Sequence, residues 1–271
     1  MSNKVLVKFL LKQENAHIKE ETGIIGKVKK VVSNPTFLLN QNYKGLVKLE
    51  KEVKKEEKEK EKTPPKTPLV YIYNSHQTEE YAPSSVAEYS VTPTVLVGSY
   101  ILEERLEEKG FPTIVEERSI KDILRKNQWN YNYSYKASRI YLDEIKNNNP
   151  SIQYFIDFHR DSLAYDKTTT NINGKTYAKL IFLIGLENPN YAKNLAFTEK
   201  LNNLLQERYP GLCKGIYKKG GEGVNGVYNQ DSSDYTILLE VGGPDNKIDE
   251  VLNSVNAFSE VFSEVIHTNE G

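Results

Sequence analysis

Two of the four histidines in this 271-residue chain, His76 and His159, stand just past short apolar runs rich in β-branched and aromatic residues. His76 follows Leu69-Val70-Tyr71-Ile72-Tyr73, within Asn74-Ser75-His76-Gln77-Thr78-Glu79-Glu80. His159 follows Ile152-Gln153-Tyr154-Phe155-Ile156, within Asp157-Phe158-His159-Arg160-Asp161. Glu240 ends a third such run, Tyr235 to Leu239. Charged groups at the ends of apolar strands are costly to desolvate unless they are paired or bound to metal. A catalytic zinc commonly takes three protein ligands from His and Asp/Glu and keeps a fourth position for water. His76 and His159 offer two nitrogens. Glu79 or Glu80, three or four places past His76, can fold back in a turn to offer an oxygen. Glu240 would then stay off the metal as general base, taking a proton from the attacking water and returning it to the leaving amine. Asp157 and Asp161 flank His159 and are placed to orient imidazoles. Arg160 reads two ways: as a salt-bridge partner of Asp157 or Asp161, or as a bidentate clamp for a substrate carboxylate. There is no His-Glu-x-x-His, and His/carboxylate sites accept several divalent ions.

The elements that must carry these residues alternate. Leu69–Tyr73 reads as a buried strand. Thr94 to Lys109 is helical, with Val97, Ile101, Leu102 and Leu106 on one face and Gly110 as its stop signal. A short strand, Thr113–Val115, precedes a helix from about Tyr133 to Lys146. Ile152–Ile156 is the next strand. A turn at Asn173-Gly174, a strong hairpin signal, separates two β-rich arms, the second ending in Lys179–Ile184. Asn190 to Gln206 is helical, Tyr235–Leu239 is a buried strand, and Asp249 to Ile266 closes the chain as an amphipathic helix. This alternation predicts an α/β fold with a twisted, mainly parallel sheet and helices on both faces. In such sheets sites gather at the carboxyl ends of strands, which is where both histidines fall.

Composition divides the chain into three. Residues 1–50 hold a few apolar clusters, such as Val5 to Leu11 and Phe37-Leu38-Leu39, but little independent core. Residues 51–68 form a Lys/Glu-rich and then Pro-rich linker. Residues 69–271 carry the strands and helices. A net charge of −1 gives no field that would gather nucleic acid. The lone cysteine, Cys213, excludes an internal disulfide and a Cys-rich zinc site. No run approaches the ~18–20 apolar residues that span a bilayer.

The strand-end segments resemble the stage II sporulation protein P family from about Leu69 to Ile266. The family's His-x-His-x-x-Glu-x-Tyr corresponds to Asn74 through Tyr81, and its Asp-x-His-Arg-Asp to Asp157 through Asp161. Its Tyr-Asn-Gln-Asp, followed by a strand and Glu-x-Gly-Gly, corresponds to Tyr228-Asn229-Gln230-Asp231 and Glu240-Val241-Gly242-Gly243. Asn188-Pro189-Asn190-Tyr191 and Tyr209-Pro210-Gly211-Leu212 fit between them, and Asn34 to Leu39 echoes the family upstream. The resemblance implies a zinc amidase-like fold and an N-acetylmuramoyl-L-alanine amidase, with endopeptidase activity on cross-links also associated. Its setting is endospore engulfment on the extracytoplasmic face of the membrane or forespore septum. Stage II sporulation proteins D and M are the implied partners, and peptidoglycan is the substrate. By position His76 and His159 match the metal histidines and Glu240 the catalytic glutamate, with Glu79 as third ligand and Glu80 as its alternative. Asn74 replaces the first His of the His-x-His pair, and Glu116-Glu117 stands where a His-Asp pair is expected. The family's N-terminal membrane segment is absent from this sequence. The alternative reading is a catalytically inactive wall-binding or scaffold protein of the same fold; a zinc carboxypeptidase or small-amide hydrolase is a third.

Overall fold

A computed structural model describes residues 67–84 and 92–270, together with Val5, Lys8, Phe9 and Lys12, which are helical. The chain divides into two compact units, Met1–Lys66 and Thr67–Gly271, and every candidate residue lies in the second. The expected tether, up to Lys66, and the clusters around Phe37 lie outside the described residues.

The second unit is built on one six-stranded sheet. Its strands are β1 (Val70–Tyr73), β2 (Thr113–Val115), β3 (Tyr154–His159), β6 (Leu180–Gly185), β7 (Cys213–Lys219) and β8 (Tyr235–Val241), in the spatial order β2-β1-β3-β8-β6-β7. Among the described residues all neighbouring pairs are parallel except β6 with β8. A separate hairpin joins β4 (Thr169–Ile172) to β5 (Lys175–Ala178). Its two turn residues, Asn173 and Gly174, both have positive φ, 53° and 78°, the conformation that suits a tight hairpin. The second arm expected after this turn is therefore split: β5 pairs back on β4 in the separate hairpin, and β6 enters the main sheet.

The faces are covered by different helices. The helices are α1 (Val95–Glu108), α2 (Ile120–Lys126), α3 (Ser134–Asn148), α4 (Tyr165–Thr168), α5 (Tyr191–Arg208) and α6 (Ile248–Glu270). On one face Leu142 of α3 packs with Tyr71, Tyr73 and Phe155. On the other, Phe197 of α5 and Phe262 of α6 meet Tyr154. There α1 lies so close to β3 that a Cβ on Gly98 would fall 2.4 Å from the Phe158 ring. A side chain at that position would have to displace the Phe158 ring. The central strands β1, β3 and β6 are buried on both faces, which explains their near-continuous apolar runs.

Three features depart from the sequence expectations. Helix α2 is a seven-residue element with only Ile120 and Leu124 buried, too short to show a helical period. Strand β7 is an edge strand whose last three residues are exposed, so its Lys-rich sequence does not alternate. Strands β3 and β8 also run further than their apolar segments. His159 and Glu240 are not past the strands but within them, paired across the β3–β8 ladder as Asp157↔Leu238 and His159↔Glu240.

Candidate metal centre

The loop after β1 is tied to β3 by its own polar groups. The Asn74 amide donates to the Phe158 carbonyl (2.6 Å) and to Ser99 Oγ (3.0 Å). The Ser75 backbone N–H donates to Asp157 Oδ1 (2.9 Å), and its hydroxyl to Asp157 Oδ2 (2.7 Å). The chain then turns, with the Glu79 N–H donating to the His76 carbonyl (3.1 Å). That turn brings the Glu79 carboxylate back over the strand ends. One oxygen lies 3.3 Å from His76 Nδ1 and the other 3.4 Å from His159 Nδ1. The Arg160 backbone N–H also donates to Glu79 Oε2 at 2.9 Å. Donor atoms of His76, Glu79 and His159 all lie within 4.8 Å of one another. Of the two sequence candidates, Glu79 enters this cluster. Glu80 is exposed, forms an antiparallel bridge with Thr94, and offers its carbonyl to Arg160 Nε (2.9 Å).

The far side of the His159 ring is held as well. Its Nε2 lies 2.9 Å from Asp157 Oδ1 and 2.8 Å from Ser75 Oγ. A carboxylate on one ring nitrogen fixes the tautomer and frees the other nitrogen for a metal. Asp157 therefore stands where an orienting group belongs. Asp161 does not touch either imidazole: it accepts from the Leu163 N–H (3.2 Å) and lies 3.5 Å from Lys214 Nζ. Arg160 makes no side-chain ion pair among the described residues; its guanidinium donates to the carbonyls of Glu80 and Asp161.

The electrostatics follow from burial and neighbours. Burial works against the Glu79 carboxylate, but the His159 charge and hydrogen bonds from His159, His76 and the Arg160 backbone hold it well below the usual carboxylate range. Burial likewise disfavours a charged His159, yet Asp157 and Glu79 raise its pKa well above the ordinary imidazole value. Glu240 behaves oppositely. Burial raises its pKa to about 7 despite the opposing charge of His159, with Glu79, Asp161 and Asp157 adding to the rise. Its Oε2 is buried and has no hydrogen-bond partner among the described residues. An orphaned buried carboxylate oxygen on the strand beside His159 is poised to accept a proton.

Several site residues were not singled out in the sequence. Ser75 reaches Asp157, 82 positions away, a contact that no local pattern signals. Tyr131 stacks on the His76 ring at 5.1 Å, and Tyr135 lies 5.2 Å from His76 and 6.2 Å from His159. The run of tyrosines near residue 133 is their only trace in the sequence. The two departures from the family pattern have local partners. Asn74 is buried and bonded as above, and the Tyr71 hydroxyl donates to buried Glu116 while that of Tyr100 donates to Glu117.

The stage II sporulation protein P (SpoIIP) family model matches residues 9–263. The chain belongs to this family. Stage II sporulation protein P of Bacillus subtilis (strain 168) is 38% identical over 204 residues, covering 73% of this chain and 51% of the relative. This SpoIIP-family chain thus spans about half the length of that curated relative. Two solved structures are more distant. Cwp6 from Clostridium difficile has a TM-score of 0.44 and 11% identity, covering 74% of this chain and 29% of that one. A metallo-carboxypeptidase from Burkholderia cenocepacia has a TM-score of 0.42 and 11% identity, covering 78% and 59%. Among the described residues of the SpoIIP-family chain, no helix is long and apolar enough to cross a membrane. Its donor set of two imidazoles and one carboxylate, with an unpartnered carboxylate alongside, fits a divalent metal of the zinc class.

Proposed function

We propose that this chain is a zinc-dependent peptidoglycan hydrolase that cleaves the amide between N-acetylmuramic acid and the stem peptide. The observation that carries this reading is the convergence of His76, Glu79 and His159 within 4.8 Å, with Glu240 level with His159 on the neighbouring strand. In the proposal the three converging residues hold the metal, and Ser75 and Asp157 fix the His159 ring. A bound zinc supplies Lewis acidity to a carbonyl and lowers the pKa of water. Glu240 takes a proton from the attacking water on its unpartnered oxygen and delivers it to the departing nitrogen. Burial, which raises the Glu240 pKa above the ordinary carboxylate range, favours its carrying that proton between the two atoms. Arg160, with no carboxylate partner of its own, is placed to receive a carboxylate of the stem peptide. The same geometry would serve a cross-link amide, so endopeptidase activity belongs to the proposal as a second bond.

The setting proposed for this activity is engulfment at the extracytoplasmic face of the cell membrane or forespore septum, with stage II sporulation proteins D and M as partners. Family membership supports it. The test is incubation of the purified chain with peptidoglycan, with and without chelator and with zinc restored. Release of intact stem peptides with free alanine amino termini supports the amidase. Products bearing only new cross-link ends would replace it with the endopeptidase. Wall binding with no hydrolysis, unchanged by chelator, would sink both and leave a binding protein.

A further inference from the structure

Between α2 and α3 the chain reads Trp129-Asn130-Tyr131-Asn132-Tyr133-Ser134-Tyr135, four aromatic rings alternating with small polar groups. The segment is rigidly built. Trp129 packs on the cluster of Ile120, Leu124, Ala137 and Tyr141. The Asn130 side chain accepts the Asn132 N–H (3.0 Å), and the Ser134 hydroxyl donates to the Tyr131 carbonyl (2.6 Å). Tyr133 stacks on Trp129 with centroids 5.6 Å apart. This frame leaves Tyr131 and Tyr133 46% and 45% exposed as residues. A fixed aromatic strip open to water marks a binding surface, and this one touches the candidate centre directly through Tyr131 on His76.

Charge and topology indicate what it takes. Residues 129–135 contain no charged group, so they offer flat π faces and neutral amides. One cation borders the strip: Lys136 Nζ lies over the Trp129 ring at 4.3 Å and 5.8 Å from that of Tyr133. Arg160 reaches back to the Glu80 carbonyl in the loop after β1, and Lys214 lies at the start of β7. Strand order places the loop after β1 and the start of β7 on opposite flanks of His159 and Glu240. A substrate that turned a carboxylate-bearing half toward Lys214 would lay its neutral, hydroxyl-bearing half across the two exposed tyrosines. In muropeptides the scissile amide is separated from the sugar ring only by the short lactyl ether, so the sugar must sit next to the metal ligands.

We propose that Tyr131 and Tyr133 form the glycan subsite, stacking on the sugar rings of the strand, with the stem peptide leading away toward Lys214. The inference rests on the peptidoglycan reading of the site, but its test does not require turnover. Trp129 is the only tryptophan in the chain, so its emission reports on the strip. Glycan strands stripped of their peptides, which contain no scissile amide, are titrated into the full chain, with calorimetry as a second readout. The expected result is a saturable emission change in the wild type, weakened about 10-fold or more in Tyr133→Ala and retained in Tyr133→Phe. Tyr133 touches Trp129 rather than a proposed ligand, so zinc content should stay unchanged in the variant. No binding by the wild type, equal affinity in Tyr133→Ala, or an equal response to free stem peptide would overturn the subsite. Loss of hydrolysis with glycan binding intact would instead count against the amidase.

Discussion

Two polar clusters form at neighbouring strand ends, and they balance their charge differently. Past β2, the buried Glu116 accepts from the Tyr71 hydroxyl (2.8 Å), from the Arg118 backbone N–H (2.8 Å) and from two guanidinium nitrogens of Arg118 (2.9 and 2.8 Å). The buried carboxylate has a cation of its own, which also pairs with the exposed Glu144 (2.7 Å). At the ends of β3 and β8, Asp157, Glu240 and, from the loop after β1, Glu79 gather around His159, and Glu79 also reaches His76. Among the described residues, none of those three is paired with a Lys or Arg side chain. A buried acid that brings its own cation is a structural device. A buried cluster short of positive charge leaves a place for a cation from solution.

The largest effect expected from breaking this contrast is at His159. His159→Ala should lower bound zinc from about one per chain to near zero and abolish turnover, because a nitrogen and its Asp157-fixed orientation are lost together. Metal analysis of the purified variant checks it, and a variant retaining zinc and full activity would falsify the proposed ligand set. Glu240→Gln comes next. It keeps the shape and removes the proton acceptor, so zinc should stay bound while turnover falls by about 100-fold or more. Asp157→Asn should be milder: zinc affinity weakens by about 10- to 100-fold, read by competition with a chromogenic chelator.

How much of this the sequence shows depends on the range of the interaction. The apolar strands β1, β3 and β8 are legible because burial on both faces forces continuous Val, Ile, Leu and aromatic runs. His159 and Glu240 stand out because they interrupt that texture. What the sequence does not show is that both strands continue through those charges. Partners from Ser75 and the β3–β8 ladder make continuation possible, and they come from distant segments. The choice between Glu79 and Glu80 is hidden for the same reason: adjacent residues in a turn point apart, and only the folded turn shows which one faces the rings. Edge strand β7 and the short α2 escape because neither buries enough side chains to impose a period.

In the cluster past β2, Glu116→Gln should cost stability and leave zinc content unchanged. The charged hydrogen bonds from Arg118 weaken, but that guanidinium is partly exposed, so the loss is discounted to about 1–2 kcal/mol in a denaturant melt. A fall in zinc content in this variant would mean that the two clusters are coupled.

The smallest effect separates the clusters by pH. In metal-free protein Glu240 has a pKa raised to about 7 by burial, so the fold favours its neutral form. That contribution is complete below the ordinary carboxylate range and is lost as pH rises through about 7. His159, also raised, acts in the same sense from the ordinary imidazole range upward, so it adds to the loss in the upper part of this window. Glu79 is lowered; its contribution is present above the ordinary carboxylate range and is lost only in strong acid, outside this window. Metal-free protein should therefore lose on the order of 1 kcal/mol between pH 5 and pH 8. Glu240→Gln should flatten the lower part of that slope and keep the upper part carried by His159, and Glu116→Gln should lower stability and keep the Glu240 slope. Added zinc should reverse the trend, since neutral imidazoles bind it and its stabilisation grows as protons leave. Thermal melts of the three proteins at matched ionic strength measure this. An identical slope in wild type and Glu240→Gln would mean that the unpartnered oxygen carries no strain that a proton relieves, and the contrast between the two clusters would then rest on metal binding alone.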